Sequence, residues 1–191
     1  RVPHGAMGEG ARRCVVHRGV PGAQYRPDVA DDMTACIEEL LQQLGPDVVT
    51  VSPVDERYTG DWSDTPRHQP LAVLRPRTTS EVATALRVCN EHHQGVVPQG
   101  GRTGLAGAAT PRADDVVLSL ERMAGIEALD TDAGTVTVLA GTTLEHVQHA
   151  VAEAGWELGY DLGARGSCQI GGNLATNAGG NRVLRYGMAR E

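Results

Sequence analysis

Lysine and phenylalanine are both absent from this chain of 191 residues. Without lysine, an anionic ligand has only arginine, backbone N–H groups and neutral polar side chains to hold it. The two absences, set beside abundant Ala, Arg and Gly, suggest a GC-rich coding sequence and hence a bacterial cytoplasm. Positive charge is sparse as well: the net charge is −7 and the arginines are scattered, which argues against nucleic acid or an anionic membrane as partner. No apolar run approaches the roughly 18 residues that cross a bilayer. The four cysteines, Cys14, Cys36, Cys89 and Cys168, lack Cys-x-x-Cys spacing, so they fit reduced thiols better than a disulfide frame or a zinc site. Asparagine occurs only four times, and three of those residues fall in one short window.

That window, DLGARGSCQIGGNLATNAGGNRVLRYG from Asp161 to Gly187, gathers Gly166, Gly171, Gly172, Gly179 and Gly180 around Ser167, Asn173, Thr176 and Asn177. Glycine lets a backbone approach a ligand closely, and hydroxyl and amide groups add donors and acceptors without net charge. Such a pattern is expected of a site rather than of a core element. A second cluster, VVPQGGRTGLAG from Val96 to Gly107, is entered from a short apolar strand. A strand that runs into consecutive glycines can present N–H groups to phosphate; an ordinary glycine-rich turn is the other reading. No Gly-Lys-Ser/Thr follows, and the Gly-x-Gly-x-x-Gly spacing is missing, so neither a Walker loop nor the dinucleotide fingerprint is present. Arg102 and backbone amides are the donors available.

On these residues, VVPQGGRTGLAG and then GSCQIGGNLATNAGGNRVLRYG, the chain resembles the FAD-linked oxidases related to vanillyl-alcohol oxidase and p-cresol methylhydroxylase (PCMH). Within that superfamily it is most similar to the branch of D-2-hydroxy-acid dehydrogenases that holds D-2-hydroxyglutarate dehydrogenase and the flavoprotein of glycolate oxidase, over about Leu71 to Gly187. The resemblance implies an α+β fold: a PCMH-type FAD-binding domain of two α+β subdomains, truncated at its C-terminus and preceded by a short helical segment. It implies FAD bound noncovalently, because the histidine to which some distant relatives attach flavin is missing from the loop. Gly100, Gly101, Arg102, Thr103 and Gly104 form the expected pyrophosphate cradle, with Pro98 and Gln99 leading into it and Leu105 packing nearby. Gly166, Ser167, Gly171, Gly172, Asn173, Thr176, Asn177, Gly179 and Gly180 would line the pyrophosphate, ribityl chain and ring edge. Many relatives carry Asn where Arg102 stands. The arginine either adds a cation beside the pyrophosphate or points to solvent.

The implied reaction is oxidation of a D-2-hydroxy acid of the D-2-hydroxyglutarate, D-lactate or glycolate class. Hydride leaves Cα for flavin N5, and the electrons pass on to a protein or quinone acceptor. In relatives the base, the carboxylate-binding arginine and any substrate-side metal ligands lie in a later domain, so no catalytic residue and no metal ligand is assigned here. A chain that opens on Arg1 and stops soon after the second motif reads as a fragment. A non-catalytic flavin or nucleotide-binding module and an inactive truncated product are the rival readings. A mitochondrial location applies if the source is eukaryotic.

Three parts are expected along the chain: an irregular tail (1–30), an N-terminal helix and connector (31–67) and the FAD-binding domain (68–191). Met33, Cys36, Ile37, Leu40, Leu41 and Leu44 follow helical spacing, with Asp31 or Asp32 as cap and Gly45-Pro46 as stop. The connector carries Asp61 and Trp62, read as packing against the domain. LAVLRP (71–76) is a strand; Thr78 and Glu81 make a capping box for a helix with Val82, Ala85, Leu86 and Cys89 inward. Strands follow at Val96–Val97, Val116–Leu120, Gly125–Leu129 and Thr135–Ala140. A helix opened by Thr142 and Glu145 buries Leu144, Val147, Val151 and Ala154 and closes at Gly155. His146 and His149 read as a solvated face, Cys168 as a small buried residue, and Arg182 and Arg185 as facing phosphate, solvent or an acidic partner.

Overall fold

The apolar spacing from Met33 to Leu44 forms helix α1 (Pro27–Leu44), which ends at Gly45 with φ +76°. The computed structural model describes residues 27–191, with side chains from Met33 onward. The expected tail therefore lies outside the described residues up to Arg26. The helix starts four residues before the aspartates expected to cap it, with proline, whose fixed φ suits a first turn, in the opening position. Cys36 and Leu40 are fully buried on its inner face.

A four-stranded sheet follows, in the order β1 (Val49–Val51), β2 (Ala72–Leu74), β4 (Val116–Ser119), β3 (Val96–Gln99). The strand β1 runs antiparallel, whereas β2, β4 and β3 are mutually parallel, with Ala72 and Val96 both opposite Val116. Every residue of β2 and β4 is buried, as parallel strands covered on both faces require. Helix α1 and α2 (Thr79–Glu91) cover one face, joining Cys36, Leu40, Ala85, Val88 and Cys89 to Leu74, Val116 and Leu118. Val54 and Tyr58 cover the other, against Val73 and Val117. The α2 stripe is Val82, Ala85, Val88 and Cys89. Leu86, expected inward, is 45% exposed because the stripe is centred one position away from it.

Thr78 caps α2 by accepting the Glu81 N–H at 3.2 Å, while Glu81 reaches back to the Arg77 N–H at 2.6 Å rather than to that of Thr78. The hairpin β5 (Ile126–Asp130) and β6 (Thr135–Val138) stands apart as a two-stranded sheet. Its turn is set by Asp130, whose Oδ1 accepts from the N–H groups of Asp132 and Ala133 at 3.0 and 2.9 Å. The next helix, α3 (Leu144–Glu153), is capped by Thr143 and not by Thr142. Thr142 is buried, and its hydroxyl accepts the Gly125 N–H and has one proton to donate to the Leu139 or Gly125 carbonyl, at 2.7 and 3.0 Å. Leu144, Val147 and Val151 are buried as the spacing predicts. Four elements were not expected from sequence: β1, a 3-10 turn over Glu56–Tyr58 in the connector, and within the second glycine window the short helices α4 (Ile170–Ala175) and α5 (Val183–Tyr186).

Candidate functional site

The first glycine segment leaves the C-terminal end of β3, a ladder partner of β4, so its entry point is rigid. Gln99 is buried there; its Nε2 donates to the carbonyls of Tyr58 and Ala109 at 2.9 and 2.7 Å, and its Oε1 has no partner among the described residues. It thus braces the loop from behind, while Pro98 is exposed. Beyond it, the backbone N–H groups of Gly101, Arg102, Thr103, Gly104 and Leu105 have no protein acceptor among the described residues. Consecutive uncommitted amides are a chemistry that can take an anion. Leu105 is 77% exposed at the tip.

Asp61, from the connector, fixes this loop. Its carboxylate accepts from the N–H and hydroxyl of Ser63 at 2.9 and 2.5 Å, from the Ala109 N–H at 3.3 Å and from the Thr110 hydroxyl at 3.4 Å. Burial alone would raise its pKa, but these hydrogen bonds overcome it and hold the carboxyl below its usual value. The neighbouring N–H of Trp62 donates to the Gly104 carbonyl at 3.1 Å. Packing is therefore the role of Asp61, although the Trp62 ring itself is 61% exposed.

Arg102 does not point to solvent: its side chain is 21% exposed. Its backbone is left-handed, φ +56°, a conformation costing a bulky L-residue about 1–2 kcal/mol that asparagine adopts more readily. Its guanidinium donates to the Gly100 carbonyl at 3.4 Å and lies 3.9 Å from Glu121 and 5.5 Å above the Tyr58 ring. The left-handed turn gives a physical reason for the asparagine of many relatives.

The second segment is tied to the hairpin and α3 by hydrogen bonds from Leu144 N–H to the Cys168 carbonyl, from Ile170 N–H to Thr142 and from Gly171 N–H to Ala140, at 3.1, 2.9 and 2.8 Å. These bonds bring it directly under the first. A Cβ on Gly101 would overlap the Ser167 carbonyl and sit 2.8 Å from the Cys168 Cα, and one on Gly100 would lie 3.7 Å from the Gly172 Cα. The two glycine clusters thus meet backbone to backbone. At the junction Gln169 is buried with Oε1 unpartnered among the described residues, 3.5 Å from that same Gly100 position.

Within the second segment the glycines divide. A Cβ on Gly172 would meet nothing within 4 Å, and its N–H has no protein acceptor among the described residues. Gly171 is instead pressed against Ala140, where a Cβ would come within 2.8 Å of that residue's Cβ. Gly180 lies on the Asp161 carbonyl, and Gly166 and Gly179 meet the Glu145 and Met188 side chains. Smallness at Gly171 and Gly180 thus has a cause inside the protein, whereas Gly166 and Gly179 face only side-chain ends. The polar side chains are likewise engaged: Thr176 donates to the Gly172 carbonyl at 2.9 Å, Asn173 to the Cys168 sulfur at 3.5 Å and Asn177 to the Met188 sulfur at 3.7 Å. Asn177 also adopts φ +49° and accepts the Arg190 N–H.

Asp161 does for this segment what Asp61 does for the first. Its carboxylate accepts from Gln148 at 3.2 Å, Arg165 at 2.9 Å and Asn181 at 3.3 Å. Burial works against the charged form, and the bonds from Gln148 and Asn181 with the Arg165 and Arg182 charges outweigh it, lowering the pKa. Tyr160 beside it has a buried hydroxyl, unpartnered among the described residues, and burial with the nearby Cys168 pushes its pKa up to about 12. Arg182 pairs with Glu157 and Arg185 lies over the Tyr186 ring, so both serve the protein surface. Cys36, Cys89 and Cys168 are buried and in no disulfide, and burial with the adjacent Cys36 raises Cys89 to about 12, far from a reactive thiolate. His146 and His149 lie on the outer side of α3, away from the buried Leu144, Val147 and Val151.

The residues present fit a flavin dinucleotide: unpaired amides for a diphosphate, open backbone at Gly172, and an orphaned amide oxygen on Gln169 between them. Comparison with known proteins agrees. A family described as FAD binding domain matches residues 70–191. The mitochondrial D-2-hydroxyglutarate dehydrogenase of Bos taurus is 44% identical over 161 residues, 84% of this chain and 29% of that protein. The D-2-hydroxyglutarate dehydrogenase of Xanthomonas citri pv. viticola is 46% identical over 155 residues, 79% of this chain and 32% of that protein. The chain thus spans about a third or less of these relatives. Among solved structures, p-cresol methylhydroxylase with substrate bound superposes with a TM-score of 0.67 at 20% identity, over 78% of this chain and 30% of that one. An alkyldihydroxyacetonephosphate synthase gives 0.71 at 20% identity, over 89% and 32%. At such identities the structures establish the fold.

Proposed function

The chain belongs to the FAD binding domain family, in its PCMH-type fold, and from that membership we propose that it is the cofactor-holding part of a longer D-2-hydroxy-acid dehydrogenase. The observation that carries this reading is the contact of Gly101 with Ser167 and Cys168 beside the open backbone of Gly172. FAD, when bound, supplies the acceptor for the hydride that a D-2-hydroxy acid gives up at Cα. This chain's own residues hold and orient. The amides of Gly101 to Leu105 would take the diphosphate without lysine, and Gly172 would let the nucleotide lie against bare backbone. Gln169 Oε1 would accept a ligand N–H. No histidine occurs in either segment, in keeping with noncovalent binding.

The names of the relatives favour a D-2-hydroxyglutarate-type substrate, which the remainder of the longer protein would bind, with a protein or quinone as onward acceptor. The composition favours a bacterial cytoplasm; a mitochondrial location, as in the name of the Bos taurus relative, applies if the source is eukaryotic. Among the described residues no helix is long and apolar enough to cross a membrane. The test expresses the longer reading frame, records its flavin absorbance and follows dye reduction with D-2-hydroxyglutarate, D-lactate and glycolate. Flavin with turnover of one of these supports the enzyme. Flavin without turnover supports a non-catalytic binding module, and a colourless protein overturns both.

A further inference from the structure

Arg102 sits at the centre of the amides assigned to the diphosphate, yet its own charge is spent elsewhere. The parallel pairing of β3 with β4 sets Gln99 opposite Ser119. Arg102, three residues past Gln99, and Glu121, two residues past Ser119, therefore emerge side by side from the same end of the sheet. There Glu121 Oε2 lies 3.9 Å from the Arg102 guanidinium. The other oxygen, Oε1, accepts the Tyr58 hydroxyl at 2.5 Å and an Arg57 N–H at 3.3 Å, with Arg75 4.0 Å away. Arg102 and Glu121 side chains are both only 21% exposed, so this pairing is less screened than a surface ion pair. Asp55, 4.0 Å from Arg57, is the cluster's other carboxylate.

A bulky residue holds a left-handed conformation only where its surroundings over-determine it. Three contacts do so here: the Gly100 carbonyl, Glu121 and the face of Tyr58. All three are contacts with the protein itself, so the guanidinium is held whether or not a ligand is bound. We infer that Glu121 is a positioning residue for nucleotide binding: by holding Arg102 it fixes the left-handed turn that leaves the amides of Gly101 to Leu105 free for a diphosphate. The inference rests on the FAD reading above. Its consequence is that the grip on the diphosphate comes from oriented backbone dipoles, while Arg102 acts as a peg that keeps them oriented.

The experiment is a double-mutant cycle on the longer protein, stripped of flavin and titrated with FAD by fluorescence quenching at low and high salt. Glu121→Gln, which keeps the shape and removes the charge, raises the Kd about tenfold. In an Arg102→Asn background, where the turn residue needs no peg, the same change moves the Kd less than about twofold. Tyr58→Phe keeps the ring beneath Arg102 but deletes the hydroxyl bond to Glu121, together with the one that hydroxyl accepts from Arg57, and shifts the Kd in the same direction, again only when Arg102 is present. Thermal melts of the flavin-free variants separate a folding defect from a binding one, and Tyr58→Phe serves if Glu121→Gln does not fold. Equal effects of Glu121→Gln in both backgrounds would overturn the inference. So would tighter, more salt-sensitive binding by Glu121→Gln, since that marks Arg102 as a phosphate ligand that Glu121 competes for. A wild-type protein that takes up no FAD overturns the cofactor reading and this one together, whereas uncoupled variants of a flavin-binding wild type overturn this one alone.

Discussion

The two glycine-rich segments look alike in composition and meet at Gly101, but differ in what most of their glycines do. In the first, glycine leaves amides unspent: five successive N–H groups from Gly101 to Leu105 have no acceptor among the described residues. In the second, glycine makes room for the protein itself, with Gly171 against Ala140 and Gly180 against the Asp161 carbonyl, while Gly172, like Gly163 upstream of it, faces open space. Each is held by one buried carboxylate, Asp61 or Asp161, that gathers three or more donors. A glycine cluster in a sequence therefore announces a tight place, and the structure is needed to say whether the tightness is toward a ligand or toward another strand of the same chain.

The largest effect is expected where the segments touch. Gly101→Val drives a side chain into the Ser167 carbonyl and Cys168 backbone, neither of which is a flexible end. It should cost about 3 kcal/mol or more of stability, seen as a collapsed melting temperature and loss of flavin together. Gly180→Ala, pressed on the Asp161 carbonyl, should behave likewise; tolerance of either change would break the picture of backbone-to-backbone closure.

The carboxylate braces come next. Asp61→Ala strands the Ala109 N–H and the Ser63 and Thr110 hydroxyls, and should lower stability by about 2 kcal/mol in a denaturant titration. Asp161→Ala should do the same for the second segment. Both carboxyls have folded pKa values held below the ordinary value. Their contribution is thus complete above the unfolded-state value of about 3.9 and is lost as pH falls below it toward the folded values. Stability and flavin retention measured against pH should fall together on the acid side of about pH 4, and each Asp→Asn variant should flatten its part of that fall.

The smallest effect on stability, and the sharpest separation of the two uses of glycine, belongs to Gly172. Gly172→Ala places a methyl in open space within α4, so the fold should be unchanged or gain about 0.5–1 kcal/mol from helix propensity. Flavin affinity should nevertheless fall in titration. An unchanged Kd would remove Gly172 from the binding surface.

Much of this was legible in the sequence because the relevant signals are local. The helical spacing of Cys36 and Leu40, the Thr78 cap and the Asp130 turn each depend on neighbours within a few residues. The short strand β1 escaped because three residues between Pro46 and Pro53 leave no period to read. Helix α4 escaped because IGGNLA holds two poor helix formers; it is stabilised from outside by Gly171 on Ala140 and by Arg190, which donates to the carbonyls of Leu174 and Ala175 at its end. Adjacent Thr142 and Thr143 are equal as caps until the hairpin claims one hydroxyl. The Arg102–Glu121 pairing has no local trace at all, since it exists only through the register of β3 on β4.

The central claim is that these two segments close together around a flavin dinucleotide, and equilibrium titration of the flavin-free longer protein with FAD, wild type beside Gly172→Val, tests it most directly. The account predicts saturable binding of about one FAD per chain by the wild type and its loss in a Gly172→Val protein that still melts cooperatively. Absence of binding by the wild type, or undiminished binding by Gly172→Val, would contradict it.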